Sequence, residues 1–290
     1  MAQPSVHTGG KEISLPDDFR WPGGKRLALF FRCAFEGWSD DRWPGVGPMG
    51  NPLKPGFPDL NAIGFADYGP RRGIFRVLDI LDQFDVKVTM MVNGIMAERH
   101  PEIVRKISEF GHDIVAHSYA MDIIPVYLDE DEERANIRRT VDTIAQVTGV
   151  KPTGWISPRS TPSERTGRLL AEEGLLWHGD SLNDDLPYKV EFPAGTVLAF
   201  GNNMEINDLP VHMKHGNPPR VLLENLEDWL DYVRTYEKGA ARIDPTIHSH
   251  VFARPLGMSV FVKMLQLAKA SDDVWIGTRS EATDYILANY

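Results

Sequence analysis

Five short apolar runs in the 290-residue sequence lead into side chains able to move a proton or bind a polar ligand. Glu36 follows RLALFFRCAF (26–35), and His117 follows DIVA (113–116). Ser157, Pro158 and Arg159 follow GWI (154–156). Asp180, Asn183, Asp184 and Asp185 follow LLWHG (175–179), and His248 and His250 lie within PTIHSHVF (245–252). A carboxylate with imidazoles is the equipment of general acid–base chemistry: one group takes a proton from water, another gives one to a leaving atom. An arginine beside them suits a substrate carbonyl or a carboxylate that must be held in place.

What must position these groups is an alternation of strand-like and helix-like segments. Strand-length runs at 26–35, 86–92, 113–116, 153–156, 175–177, 196–200, 245–252 and 274–278 alternate with other segments. Helical spacing covers 71–84, 97–110, 129–148, 163–173, 221–236, 256–270 and 281–287. Gly111, Gly149 and Gly174 stand past helix ends, Ser163 suits an N-cap, and DEDEER (129–134) suits an acidic first turn. This alternation predicts a mainly parallel sheet with helical crossovers, and functional groups in such folds gather at the carboxyl ends of the strands. About eight strands fit a complete or irregular (β/α) barrel, with an open doubly wound sheet as the rival. Strand alternation puts His248 and His250 on one face, and Cys33 opposite to Glu36, under the helices. Residues 1–24 read as an arm or surface wrap and 25–290 as a single domain. The Pro- and Gly-rich stretch 36–70 reads as one long loop, with Trp38, Trp43 and Phe57 covering a site or anchoring the loop.

Charge and composition exclude several classes. With 31 Lys and Arg against 41 Asp and Glu, the net charge is −10, which argues against a nucleic-acid partner or a polybasic membrane patch. Hydrophobic residues at 42% and charged residues at 25% are those of a globular chain, and no apolar run of about 18 residues is present. A single cysteine, Cys33, forms no intrachain disulfide. Together with a start (MAQPSVHTGGKE) that lacks a basic and apolar leader, it gives a cytoplasmic expectation. His212 and His215 sit in a loop-like stretch and make a weak metal pair.

The segments AFEGW (34–38), YGPRRG (68–73), AHSYAMD (116–122), GWISPRSTPSERTGRLLAEEG (154–174), DSLNDDLPY (180–188) and IHSHVFARP (247–255) occur in an order and spacing that resemble the polysaccharide deacetylase superfamily, carbohydrate esterase family 4. The pattern is most similar to a small-molecule branch that includes cyclic imide hydrolases and a metal-independent type of allantoinase. The resemblance implies an irregular (β/α) barrel, a small-molecule substrate and a homo-oligomer. It places Glu36 as the base and His248 as the general acid. Arg159 then orients the base carboxylate, donates to a substrate carbonyl, or forms a surface ion pair. Asp184 and Asp185 orient His248, hold substrate N–H groups, or belong to a solvated acidic loop. His117, Tyr188, His250, Trp38 and Arg71 are the remaining expected pocket groups, Arg71 with a helix-capping role as its alternative.

Two positions depart from the zinc-dependent pattern. Where those enzymes carry paired carboxylates, this sequence has Glu36-Gly37; where they carry His-x3-His, it has His117 and Met121. Glycine offers no ligand and a thioether is a poor match for zinc. Asp122 would point about 140° from His117 on a helical turn. No metal or other cofactor is therefore expected, with zinc as the alternative. The expected activity is ring-opening hydrolysis of a small cyclic imide or related cyclic amide. The alternatives are an N-deacetylase of a carbohydrate and a binding module without catalysis.

Overall fold

The computed structural model of the chain describes residues 5–45, 47, 49, 53–54 and 56–290; the rest of the 1–24 arm and of the 36–70 stretch lies outside the described residues. Its strands are β1 (Lys11–Ile13), β2 (Leu27–Leu29), β3 (Arg32–Phe35), β4 (Thr89–Val92), β5 (Asp113–Ala116), β6 (Gly154–Trp155), β7 (Trp177–Ser181), β8 (Tyr188–Phe192), β9 (Gly195–Gly201), β10 (Ala241–Ile243), β11 (Thr246–His248) and β12 (Val274–Ile276). Its helices are α1 (Leu60–Tyr68), α2 (Ile74–Phe84), α3 (Gly94–Arg99), α4 (Pro101–Glu109), α5 (Glu130–Thr148), α6 (Thr166–Glu172), α7 (Val221–Thr235), α8 (Pro255–Lys269) and α9 (Arg279–Asn289).

The main sheet runs β9-β7-β6-β5-β4-β3-β11 with every pair parallel, and β8 and β1 extend it antiparallel beyond β9. A second parallel sheet, β10-β2-β12, lies at the amino ends of β3 and β11. The seam between β9 and β11 has no ladder among the described residues. An isolated parallel bridge from Asn207 to Thr246 spans it. This makes the fold an irregular (β/α) barrel.

Side-chain alternation divides the core in two. Odd positions of β3, Cys33 and Phe35, pack outward with Met90 and Val92 of β4 and the apolar faces of α2, α4, α5 and α8. Even positions face the barrel interior, where Ala34 meets Met91, Val115, Ile156, Trp177, Leu198 and Phe200. Cys33 therefore packs under the helices, and burial pushes its thiol up, out of the reactive range.

The boundaries differ from the sequence reading in places with physical causes. The apolar run 26–35 breaks at Phe30–Phe31, so its two halves serve different sheets. The run 97–110 breaks at His100–Pro101, because proline cannot continue the preceding helix. The run 245–252 stops at His248, so His250 lies in a turn and not on the strand. Helix α1 and a π-helical turn at Gly69–Gly73 occupy part of the 36–70 stretch and its edge. The arm is more than a surface wrap: β1 pairs with β8, and Phe19 and Trp21 are fully buried in the interior cluster.

Candidate active site

The strand register sets the site. Phe35 pairs with Val92 and Val92 with Ala116, so the next residues, Glu36, Asn93 and His117, emerge side by side at the carboxyl ends of β3, β4 and β5. Asn93 knits this row together. Its Oδ1 accepts from Gly37 N at 2.9 Å, and its Nδ2 donates to the His117 and Ser118 carbonyls. His248 ends β11, in register with Ala34.

The Glu36 carboxylate is buried between two imidazoles. Its Oε1 lies 3.4 Å from His117 Nε2 and 3.4 Å from His248 Nε2. On its other side, His248 Nδ1 donates to Asp208 Oδ1 at 2.5 Å, while its backbone N–H donates to Asp208 Oδ2 at 2.8 Å. Asp208 is fully buried. Burial works against charge on His248, but the carboxylates of Asp208 and Glu36 raise it to about 10. Burial would likewise raise Glu36, but the charge on His248 and hydrogen bonds from His117 and His248 hold it well below the usual carboxylate range. At neutral pH the set is thus a carboxylate, an imidazolium and a second carboxylate in line.

His117 is oriented from behind. Its Nδ1 donates to the Ile156 carbonyl at 2.6 Å, which leaves Nε2 toward Glu36. The turn carrying Ile156 is itself held by Asp180, which accepts from Ser157 N at 2.8 Å and Ser157 Oγ at 2.7 Å. Burial pushes the Asp180 carboxyl up to about 6.

Glu36 lines a pocket of about 260 Å³, walled by Trp38, Trp43, Pro58, Met96 and His100. The edge of Trp38 meets His250, 5.6 Å between ring centroids, and His250 in turn lies 5.8 Å from His248. Burial lowers His250 to about 4, so it is neutral, and its Nδ1 has no partner among the described residues. Glu36, His117, His248, His250 and Trp38 are thus brought together.

The other expected groups are not. Arg159 is exposed at φ 60°, and no polar contact among the described residues joins it to Glu36. Asp184 and Asp185 are exposed; Asp184 accepts from Leu186 N, so neither orients His248. Tyr188 is buried on β8, where its hydroxyl lies among Ser181, Asn183 and His7. Arg71 is exposed on a separate groove with Arg72, Phe75, Arg76 and Asp79. The missed residues are Asp208 and Asn93. Asn93 follows a strand end, as Glu36 and His117 do, and that position is a readable signal. Asp208 lies between strands, in a stretch with no periodicity.

A zinc ion does not fit the residues present. A Cβ at position 37 would collide with Met96 Sδ, so the space for a side chain there is filled. Met121 presents a thioether, and Asp122 is turned to accept from Ser39 N at 2.8 Å. Among the described residues no group of three or more His, Cys, Asp or Glu side chains could hold an ion.

The model of the family described as polysaccharide deacetylase matches residues 62–176. The Puue allantoinase crystal structure is 27% identical, with a TM-score of 0.85 over 93% of each chain. The peptidoglycan deacetylase of Helicobacter pylori is 23% identical over 249 residues, 75% of this chain and 85% of that protein. The peptidoglycan-N-acetylglucosamine deacetylase of Bacillus cereus is 35% identical over 148 residues, 49% of this chain and 50% of that protein. With an irregular barrel and a carboxylate and imidazoles gathered at its strand ends, this chain has the α/β fold of the polysaccharide deacetylase type and is similar in sequence to deacetylases and to an allantoinase.

Proposed function

We propose that the protein opens a small cyclic amide, an imide or a hydantoin-like ring, by hydrolysis. The observation that carries this reading is the Glu36–His248–Asp208 line, whose Glu36 end lines a pocket of about 260 Å³, beside metal positions that carry no fitting ligands. Similarity to an allantoinase over 93% of the chain supports it. Glu36 takes a proton from water as the oxygen adds to the ring carbonyl. The His248 Nε2–H then goes to the departing nitrogen, while Asp208 holds Nδ1. The proton gathered on Glu36 passes across 3.4 Å to His248, and both groups return to their starting states. A ring nitrogen flanked by a second carbonyl leaves more readily than a simple amide nitrogen, because its negative charge is delocalised. That lowers the need for a Lewis acid.

The family match and the deacetylase relatives favour a second reading, N-deacetylation of a sugar. The protein, with and without a chelator, is to be incubated with succinimide, maleimide, hydantoin, allantoin and N-acetylglucosamine oligomers. Ring opening of one of the cyclic substrates, untouched by chelator, is the expected result. Acetate release from the oligomers with no ring opened would overturn the proposal.

A further inference from the structure

Helix α1 borders the pocket with little of the core to hold it. Of its nine residues Ala62 is the one that is buried, and Leu60 is 75% exposed. Its first turn is capped locally, where Asp59 accepts from Ala62 N at 3.0 Å. Yet Ile63, Ala66 and Asp67 line the same pocket as Glu36. A helix with so little buried apolar surface opens readily unless something else fastens it.

The fastening comes from the far side. Phe65 and Tyr68 are one turn apart, and at about 100° per residue they stand roughly opposite Ile63, Ala66 and Asp67. Arg254, the N-cap residue of α8, lays its guanidinium over both rings. Its central carbon is 4.6 Å from the Phe65 centroid and 4.0 Å from that of Tyr68. The attraction of a cation to a ring face grows as the cation leaves water. Arg254 is partly buried, and its Nε has no hydrogen-bond partner among the described residues. Arg76 of α2 adds a second tie, donating to the Tyr68 hydroxyl and to the Ala253 carbonyl beside Arg254.

The clamp reaches the catalytic row. The Phe65 ring meets His250 edge-on, 5.9 Å between centroids, and His250 in turn touches Trp38 and His248. The π-helical turn that follows α1 rests on the same segment, since a Cβ at Gly73 would collide with the Ser249 carbonyl. The charges of His248 and Arg254 add to burial in keeping His250 neutral.

We propose, resting on the hydrolytic reading of this pocket, that Arg254 is a positioning residue: by holding the rings of Phe65 and Tyr68 it fixes α1 as a wall of the pocket and sets how tightly substrate is held. It does so from behind the wall, without touching the reacting atoms.

The test compares the full-length wild type with Arg254→Met, which keeps an apolar stem and loses the charge, and with Arg254→Lys, which keeps the charge. Hydrogen exchange is read without substrate at the amides of residues 60–68, with α5 as internal reference. Exchange in α1 should be about tenfold faster in Arg254→Met, with α5 unchanged, and close to wild type in Arg254→Lys. With a cyclic substrate that the protein opens, KM should rise on the order of 10-fold in Arg254→Met while kcat stays within about 2-fold, and Arg254→Lys should restore KM. Unchanged exchange in α1 would overturn the proposal. Faster exchange in α1 and α5 alike, or a loss confined to kcat, would do so too, since a merely structural residue behaves that way. If none of the cyclic substrates is opened, the proposed activity fails, and the exchange comparison still decides whether Arg254 holds α1. If Arg254→Met does not fold, Phe65→Leu combined with Tyr68→Leu removes the ring faces from the other side and must speed exchange in α1 in the same way.

Discussion

At the scale of single residues, the site depends on two opposite charges 3.4 Å apart. Glu36→Gln preserves shape but removes the base, so turnover should fall on the order of 10²–10⁴-fold, with an unchanged circular dichroism spectrum. Asp208 acts on His248 rather than on substrate, and its removal should appear as a pH effect. In the wild type, the protonated His248 persists until about pH 10, so the alkaline limb of kcat/KM should lie there. Asp208→Asn takes away a large share of what holds the proton, and the limb should move down toward neutrality. The loss should thus be greater at pH 9 than at pH 6, and an equal loss at both would show that Asp208 is merely structural. The same shift has a stability consequence. His248 is raised in the folded state above its usual value of 6.5, so its contribution is complete below that value and lost as pH rises through about 10. Urea midpoints should accordingly fall between pH 7 and 10, and fall less in Asp208→Asn.

At the scale of elements, helix boundaries follow local chemistry. Helix α5 begins with a capping box: Asp129 accepts from Glu132 N at 2.9 Å, and Glu132 reaches back to Asp129 N at 3.0 Å. It ends at Gly149 in the left-handed region, φ 75°. Asp129 is exposed, so Asp129→Ala removes only the cap. Equilibrium unfolding should show a loss of about 1 kcal/mol, with the turnover rate unchanged. The apolar face of α5 is read easily from its spacing. Glu133 on the same helix is not: it is fully buried and accepts from Ser163 Oγ at 2.6 Å and from Thr166 Oγ1, tying α5 to the start of α6. Ser163 therefore serves this link and donates to Glu133, while its oxygen accepts from Arg165 N at 3.0 Å before the helix begins at Thr166.

At the scale of the molecule, residues 5–24 belong to the barrel's interior as much as to its surface. Trp21 is fully buried against Phe19, Phe30 and Trp275. Trp21→Ala should cost about 3–5 kcal/mol in denaturant unfolding, the usual range for a buried tryptophan; an effect below about 1 kcal/mol would make the segment a dispensable arm. No helix among the described residues is long and apolar enough to cross a membrane. We propose that copies of the chain associate, and sedimentation should give a mass above that of one chain.

The sequence alone determined the alternation of strands and helices, the row of Glu36 and His117 at strand ends, and His248 within a third strand, whose end at His248 only the structure shows. These follow because a parallel strand has a fixed period and delivers its last side chain to one edge. It also determined that positions 37 and 121 carry no zinc ligands of the usual kind, since glycine and methionine are what they are in any fold. Tertiary structure alone decided that Asp208, forty residues from His248 in an irregular segment, is the partner of that imidazole. It also decided that Arg159 turns to solvent at φ 60° and that Tyr188 sits on an antiparallel strand away from the pocket. The stacking of Arg254 over Phe65 and Tyr68 is likewise a tertiary result. Periodicity records which face a residue takes within its own element. Which distant residue meets it there depends on how the barrel closes, and no local pattern carries that information.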